Sequence, residues 1–161
     1  MTYSYGTTTD TVTPNPTSTS VSLSGLSPNT TYTFSVQAIC GVGDSSSVES
    51  ASVTTLCNAF SVPFSEDFDG SFSIPSCWSV INGGTSDAWN INTSSSYSQS
   101  GSNSARLYTD YNSGNNDDYL ITPAITLTGN DELTYSYRAR SSSEPQDFEV
   151  LISTTGNSAS D

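Results

Sequence analysis

The sequence predicts an all-β chain made of two successive sandwich pieces, and three observations carry that reading. Short segments alternate apolar and polar residues with a period of two, which sets one side of a strand on a core and the other in water. Clusters of Pro, Gly, Asn and Ser punctuate those segments where turns are needed. The residue patterns before and after Cys57 are of two different kinds.

The clearest alternation is Tyr32, Phe34, Val36 and Ala38 interleaved with Thr33, Ser35 and Gln37. Val21 and Leu23 precede it, followed by Leu26-Ser27-Pro28-Asn29-Thr30, in which Pro fixes φ and Asn tolerates a left-handed backbone. After it, Gly41-Val42-Gly43-Asp44-Ser45 reads as a loop, and Ala51 to Leu56 as a further strand. Tyr3 and Tyr5 belong to an earlier strand.

The run from Leu23 through Tyr32 to Ala38 resembles the E to F strand region of fibronectin type III domains. The resemblance implies that Tyr32 is a tyrosine corner, packed beneath the turn with its hydroxyl bonded to nearby backbone. It covers residues 1–57, without that family's first strands.

A second succession begins near Phe60. It runs through Phe64-Ser65-Glu66-Asp67-Phe68-Asp69-Gly70, Ile74-Pro75-Ser76-Cys77-Trp78 and Asp87-Ala88-Trp89. It continues with Gly101-Ser102-Asn103-Ser104-Ala105, Asp118-Tyr119-Leu120-Ile121-Thr122-Pro123-Ala124-Ile125, the alternating strand Leu133, Tyr135, Tyr137 and Ala139, and a strand from Phe148 to Gly156. In this order the segments resemble cleaved-adhesin (choice-of-anchor J) modules, related to MAM domains and carbohydrate-binding jelly rolls. The resemblance covers residues 58–161 and stops before such a jelly roll would close. The expectation is therefore a partial fibronectin type III sandwich followed by a partial jelly roll. Severed sandwiches leave unpaired edges, so the chain reads as an internal piece of a longer protein.

Composition limits the function. The chain has 34 Ser and 22 Thr, a formal charge of −13, no His, no Lys, and only Arg106, Arg138 and Arg140 as cations. Phosphate backbones and anionic lipid surfaces need clustered cations, so neither nucleic acid nor a membrane surface is expected as a partner. Nine Tyr, six Phe and two Trp supply apolar area that a disordered chain lacks. There is no 18-residue apolar run to span a membrane, and no basic segment with an apolar core after Met1. The Ser/Thr surface and absent Lys are compatible with secretion.

Catalysis is not expected either. With no His and no Lys, triad and Schiff-base chemistry have no base or amine to work with, and no phosphate loop or nucleophile elbow is present. Glu66 and Asp67 are adjacent, so on a strand their carboxylates would point to opposite faces and not flank one glycosidic bond.

Cys40, Cys57 and Cys77 are too few and too far apart for a zinc site without His. Cys40 and Cys57 end opposite poles of a hairpin, several residues apart at about 3.3 Å each, beyond the roughly 7 Å Cα limit of a disulfide. The MAM resemblance implies instead a Cys57–Cys77 disulfide opening the second module; three reduced thiols are the alternative.

Calcium prefers clustered carboxylates and carbonyls in loops, and calcium sites belong to the jelly rolls that this region resembles. Glu66, Asp67 and Asp69 cluster beside a turn and Asp87 lies in a loop, which offers Asp67, Asp69 and Asp87 as metal ligands; the resemblance implies the place of the acid in a Phe-acid pair for Asp69 and that of the acid before the second Trp for Asp87. Solvated turn acids are the alternative. Asn115-Asn116-Asp117-Asp118 offers another acidic cluster, though Asn/Asp runs are also ordinary turn chemistry. Tyr97, Tyr108 and Tyr111 lie in Ser/Gly/Asn-rich loops, the composition of recognition surfaces, where sugar faces can stack, with a packing role in the core or at its rim as the alternative that such domains more often use; Trp78 and Trp89 are expected in the core. The function expected is a non-catalytic adhesion module of a secreted bacterial surface protein, stabilised by calcium and contacting host extracellular protein or glycan. The alternatives are the accessory region of a secreted peptidase or glycoside hydrolase, and a structural spacer.

Overall fold

A computed structural model describes residues 2–5, 8–11, 20–84, 87–108, 117–140 and 147–156. The chain is all-β and divides into two compact units, Met1–Asn58 and Ala59–Asp161.

The first unit is a four-stranded antiparallel sheet of β1 (Thr2–Tyr5), β2 (Thr8–Thr11), β3 (Thr31–Val36) and β6 (Glu49–Thr54), in the order β2-β1-β3-β6. Between β3 and β6 stands a small hairpin of β4 (Ile39–Gly41) and β5 (Asp44–Ser45). The segment 41–45, expected as a loop, is therefore the tip and second strand of a hairpin. Its turn passes through Gly43 at φ +80°, a conformation that suits glycine. As expected, Tyr3 and Tyr5 lie on a strand, β1, with Tyr3 opposite Phe34.

Period-two alternation has a direct outcome in β3. Tyr32 is 1% exposed and its ring stacks toward Phe34 at 6.2 Å between centroids. On the other face the β3–β6 register sets Thr31 opposite Thr54, Thr33 opposite Ser52 and Ser35 opposite Ser50. Each pair closes a hydroxyl–hydroxyl bond, at 2.7, 3.0 and 2.8 Å respectively. The Tyr32 hydroxyl accepts the Ser27 backbone N–H at 2.8 Å, as the tyrosine-corner resemblance implied, and Asn29 takes the left-handed conformation at φ 46°. Thr55 completes the corner, accepting the Thr30 N–H and donating to the Ser27 carbonyl.

Among its described residues the second unit holds three two-stranded ladders. β8 (Ser79–Asn82) pairs antiparallel with β11 (Asp118–Ile121), β9 (Asn90–Asn92) antiparallel with β10 (Ser104–Arg106), and β7 (Phe60–Ser61) parallel with β12 (Ile125–Thr126). The Phe60 N–H donates to the Ala124 carbonyl at 2.8 Å beside that parallel pair. A 3-10 turn, Ser95–Tyr97, lies between β9 and β10. Phe64, Phe68 and Trp78 cluster, with Trp78 5.3 Å from Phe68 and 6.5 Å from Phe64 between centroids. Trp78 and Trp89 are half-buried, and Ile91 is the buried aliphatic residue at the centre of β9.

Two expected strands do not form ladders. The segments 133–139 and 148–156 carry no strand pairing among the described residues, although Tyr135, Tyr137 and Phe148 pack their rings together. Alternation fixes which side of a chain is apolar; a ladder also needs a neighbour whose N–H and C=O groups are in register.

Candidate functional site

The turn at 66–71 is built by its own acids. Glu66 Oε1 accepts the Phe68 N–H at 2.7 Å and Asp67 Oδ1 accepts the Asp69 N–H at 3.0 Å, which holds Phe68 at φ 65°. These short side-chain-to-backbone bonds stabilise a conformation that Phe alone rarely adopts.

Against this turn lies the segment 101–103. Asp69 Oδ1 accepts the backbone N–H groups of Ser102 at 2.8 Å and Asn103 at 2.7 Å. In return, Asn103 Nδ2 donates to the carbonyls of Phe68 at 3.2 Å and Ser71 at 2.9 Å, while its Oδ1 accepts the Ser102 hydroxyl. Asn103 is 6% exposed and its amide is matched on both sides, as a buried polar group must be. The two N–H donors, Ser102 first, favour the ionised carboxylate and hold the Asp69 pKa below the ordinary carboxylate value. Gly101 sits at φ +60°, where a Cβ would overlap the Asp69 carboxylate.

Of the acids expected to ligate calcium, Asp69 is thus occupied by backbone, Asp67 closes a local turn, and Asp87 is half-buried two residues before Trp89. Among the described residues no three His, Cys, Asp or Glu side chains converge as a metal-binding group. A different carboxylate has the character that a cation would complement. Both oxygens of Asp118, on β11, are buried without a hydrogen-bond partner, while its carbonyl accepts the Trp89 indole N–H at 3.2 Å. Asp118 came from the acidic cluster read from sequence; Asn115 and Asn116 lie outside the described residues, as does Tyr111.

Cys57 and Cys77 are disulfide-bonded, the pairing implied by the MAM resemblance. A shallow groove lined by Glu66, Ser71, Ser73, Ile74 and Ser76 presents one carboxylate and several hydroxyls.

A second constellation gathers around two tyrosines. Arg106 stands opposite Asn90 in the β9–β10 ladder; its Nη2 donates to Asn90 Oδ1 at 2.9 Å and its guanidinium lies 4.5 Å from the Tyr108 ring centroid. Arg140 Nη1 donates to the Tyr108 hydroxyl at 3.1 Å. Arg138 covers Tyr97 at 5.4 Å and donates to the Ser96 carbonyl at 2.8 Å. Sequence reading singled out both tyrosines and counted the three arginines, but not their juxtaposition, which long-range folding alone creates.

The model of the Cleaved Adhesin Domain family matches residues 61–161, and that of the Fibronectin type III domain matches residues 2–55. The chain belongs to the cleaved adhesin family. No curated protein and no solved structure is significantly similar to it. Cleaved adhesin and fibronectin type III domains are extracellular, adhesion-type and typically non-catalytic modules. No helix among the described residues of this cleaved adhesin is long and apolar enough to cross a membrane.

Proposed function

We propose that this cleaved adhesin segment is a non-catalytic binding module of a bacterial surface protein that attaches to extracellular protein or glycan of a host. The observation that carries the reading is the succession of a fibronectin type III unit and a cleaved adhesin unit in one chain. Tyr97 and Tyr108, 38% and 42% exposed on the second unit, support it as contact residues. The absence of His and Lys from the sequence agrees with a role in which nothing is transformed.

A stabilising calcium ion belongs to the same reading. Its support is the buried carboxylate of Asp118, whose two oxygens are without hydrogen bonds. Backbone carbonyls, loop carboxylates such as Asp87 and water would complete the six to eight oxygens that calcium takes. Asp67 and Asp69 would act by shaping the neighbouring loops.

Binding of the chain to arrays of matrix proteins and glycans, with and without chelator, tests the reading. Retention on at least one class of surface is expected, and no retention on any of them would refute it. Calcium is tested apart: Ca²⁺ raises the melting midpoint of the wild type and leaves Asp118→Asn unmoved. A wild-type midpoint indifferent to calcium would remove the ion from the proposal.

A further inference from the structure

We propose that the arginine–tyrosine face of the second unit, formed by Tyr97, Arg106, Tyr108, Arg138 and Arg140, binds a carboxylated or sulfated sugar of an extracellular polysaccharide. This rests on the adhesion reading and names the chemistry of the partner. A chain of formal charge −13 has only three cationic side chains, and all three contact these two tyrosines, Arg106 and Arg138 over a ring and Arg140 through the Tyr108 hydroxyl. Arg106 arrives from β10, whereas Arg138 and Arg140 come from a segment more than thirty residues later.

The geometry of that later segment places both of its arginines on one side. Tyr135 and Tyr137 have centroids 6.3 Å apart and both meet the Phe148 ring, so they share a face. In an extended chain the residues between and beyond them turn the other way, which sets Arg138 and Arg140 side by side about 7 Å apart.

These guanidiniums are oriented but not neutralised. Each has five N–H donors in a planar fork. Arg138 and Arg140 each use one group on a carbonyl or a phenol, and Arg106 uses one on an amide oxygen. No carboxylate among the described residues pairs with any of the three, and the buried Arg106 Nε has no partner at all. Stacking fixes the planes of Arg106 and Arg138 and the Tyr108 hydroxyl steers Arg140, and the unused N–H groups of Arg138 and Arg140 are left to take the oxygens of a carboxylate or sulfate.

A polysaccharide fits this face better than an acidic protein does. Exposed tyrosine rings beside the arginines can stack against the C–H faces of sugars, and Tyr97 itself lies among the serines of the 94–100 loop. A narrow polyanion meets only the cationic strip, whereas a broad acidic protein surface would also face the remaining negative charge within the roughly 8 Å screening length.

The test is retention of the whole chain on immobilised heparin, polygalacturonate, neutral dextran and polyglutamate, for the wild type and for Arg138→Gln/Arg140→Gln. The expected result is retention on heparin or polygalacturonate and none on dextran, with the double variant weakened about tenfold or more at an unchanged melting midpoint. Preference for heparin assigns a sulfate, and preference for polygalacturonate a carboxylate. If the double variant melts early, Arg140→Gln alone serves, with a loss of about threefold or more expected. Equal retention of variant and wild type, equal retention on dextran, or equal capture by polyglutamate overturns the inference, the last in favour of an acidic peptide. Adhesion to matrix surfaces that ignores the arginine substitutions would end this inference and leave the adhesion reading standing; adhesion to nothing would end both.

Discussion

Asp69 and Asn103, thirty-four residues apart, hold each other's backbone: the Asp69 carboxylate accepts the Asn103 N–H at 2.7 Å, and the Asn103 amide donates to the carbonyls of Phe68 and Ser71 on either side of Asp69. Neither turn is complete without the other. A residue type expected to hold a metal here fastens two loops together directly, and that relationship predicts how the second unit responds to acid.

Because its partners favour the charged form, the folded-state pKa of Asp69 lies below the ordinary aspartate value of 3.8. A depressed carboxylate contributes stability that is present above the unfolded value and lost as pH falls through the folded one. Asp131, held low by the Thr128 N–H and hydroxyl and by the Gly129 N–H, adds to the same trend. The melting midpoint should fall as pH drops below about 4 and on through the lowered folded values. Asp69→Asn should melt lower than the wild type at neutral pH, with the gap closing in that window. A gap independent of pH would show that the charge is not what Asp69 contributes.

Gly101→Ala should be more damaging than its size suggests. The substitution combines a left-handed backbone with a Cβ that overlaps the Asp69 carboxylate, so about 2 kcal/mol or more of stability should be lost. Urea denaturation measures it. Gly25→Ala, at φ +73° with open space around it, should lose only the conformational part, about 1 kcal/mol.

Tyr32→Phe removes the acceptor for the Ser27 N–H but keeps the buried ring. The cost should be about 1–2 kcal/mol, the penalty of a part-buried donor without a partner. Denaturant unfolding followed by a probe in the first unit reads it.

Cys57 and Cys77 should be recovered as one linked peptide in a non-reducing digest and separate after reduction. Cross-links closing a loop of this length restrict the unfolded chain by about 3 kcal/mol. Cys57→Ser/Cys77→Ser should therefore unfold at distinctly lower denaturant.

The parts legible in the sequence were those whose physics is local. Alternation around Tyr32 gave a strand with that residue buried, and Pro28-Asn29 gave a corner with Asn29 left-handed. The family succession named Gly101-Ser102-Asn103 without saying what it does, since the partner of Asn103 is a turn thirty-odd residues earlier. Leu133 to Ala139 alternates as well as any strand in the chain, yet forms no strand ladder among the described residues, because period alone says nothing of a backbone neighbour in register. The gathering of Arg106 with Arg140 on Tyr108 was illegible for the same reason.

The three hydroxyl pairs across β3 and β6 have a consequence for the exterior of the first unit. Serine and threonine do not titrate in any ordinary water, so this face is electrically silent and its cross-strand bonds are the same in brine, acid or alkali. The negative charge that keeps copies of the chain apart resides elsewhere and weakens as salt screens it. Here each hydroxyl that grips its neighbour also remains open to water, and a hydrated skin of that sort persists where charge repulsion has faded.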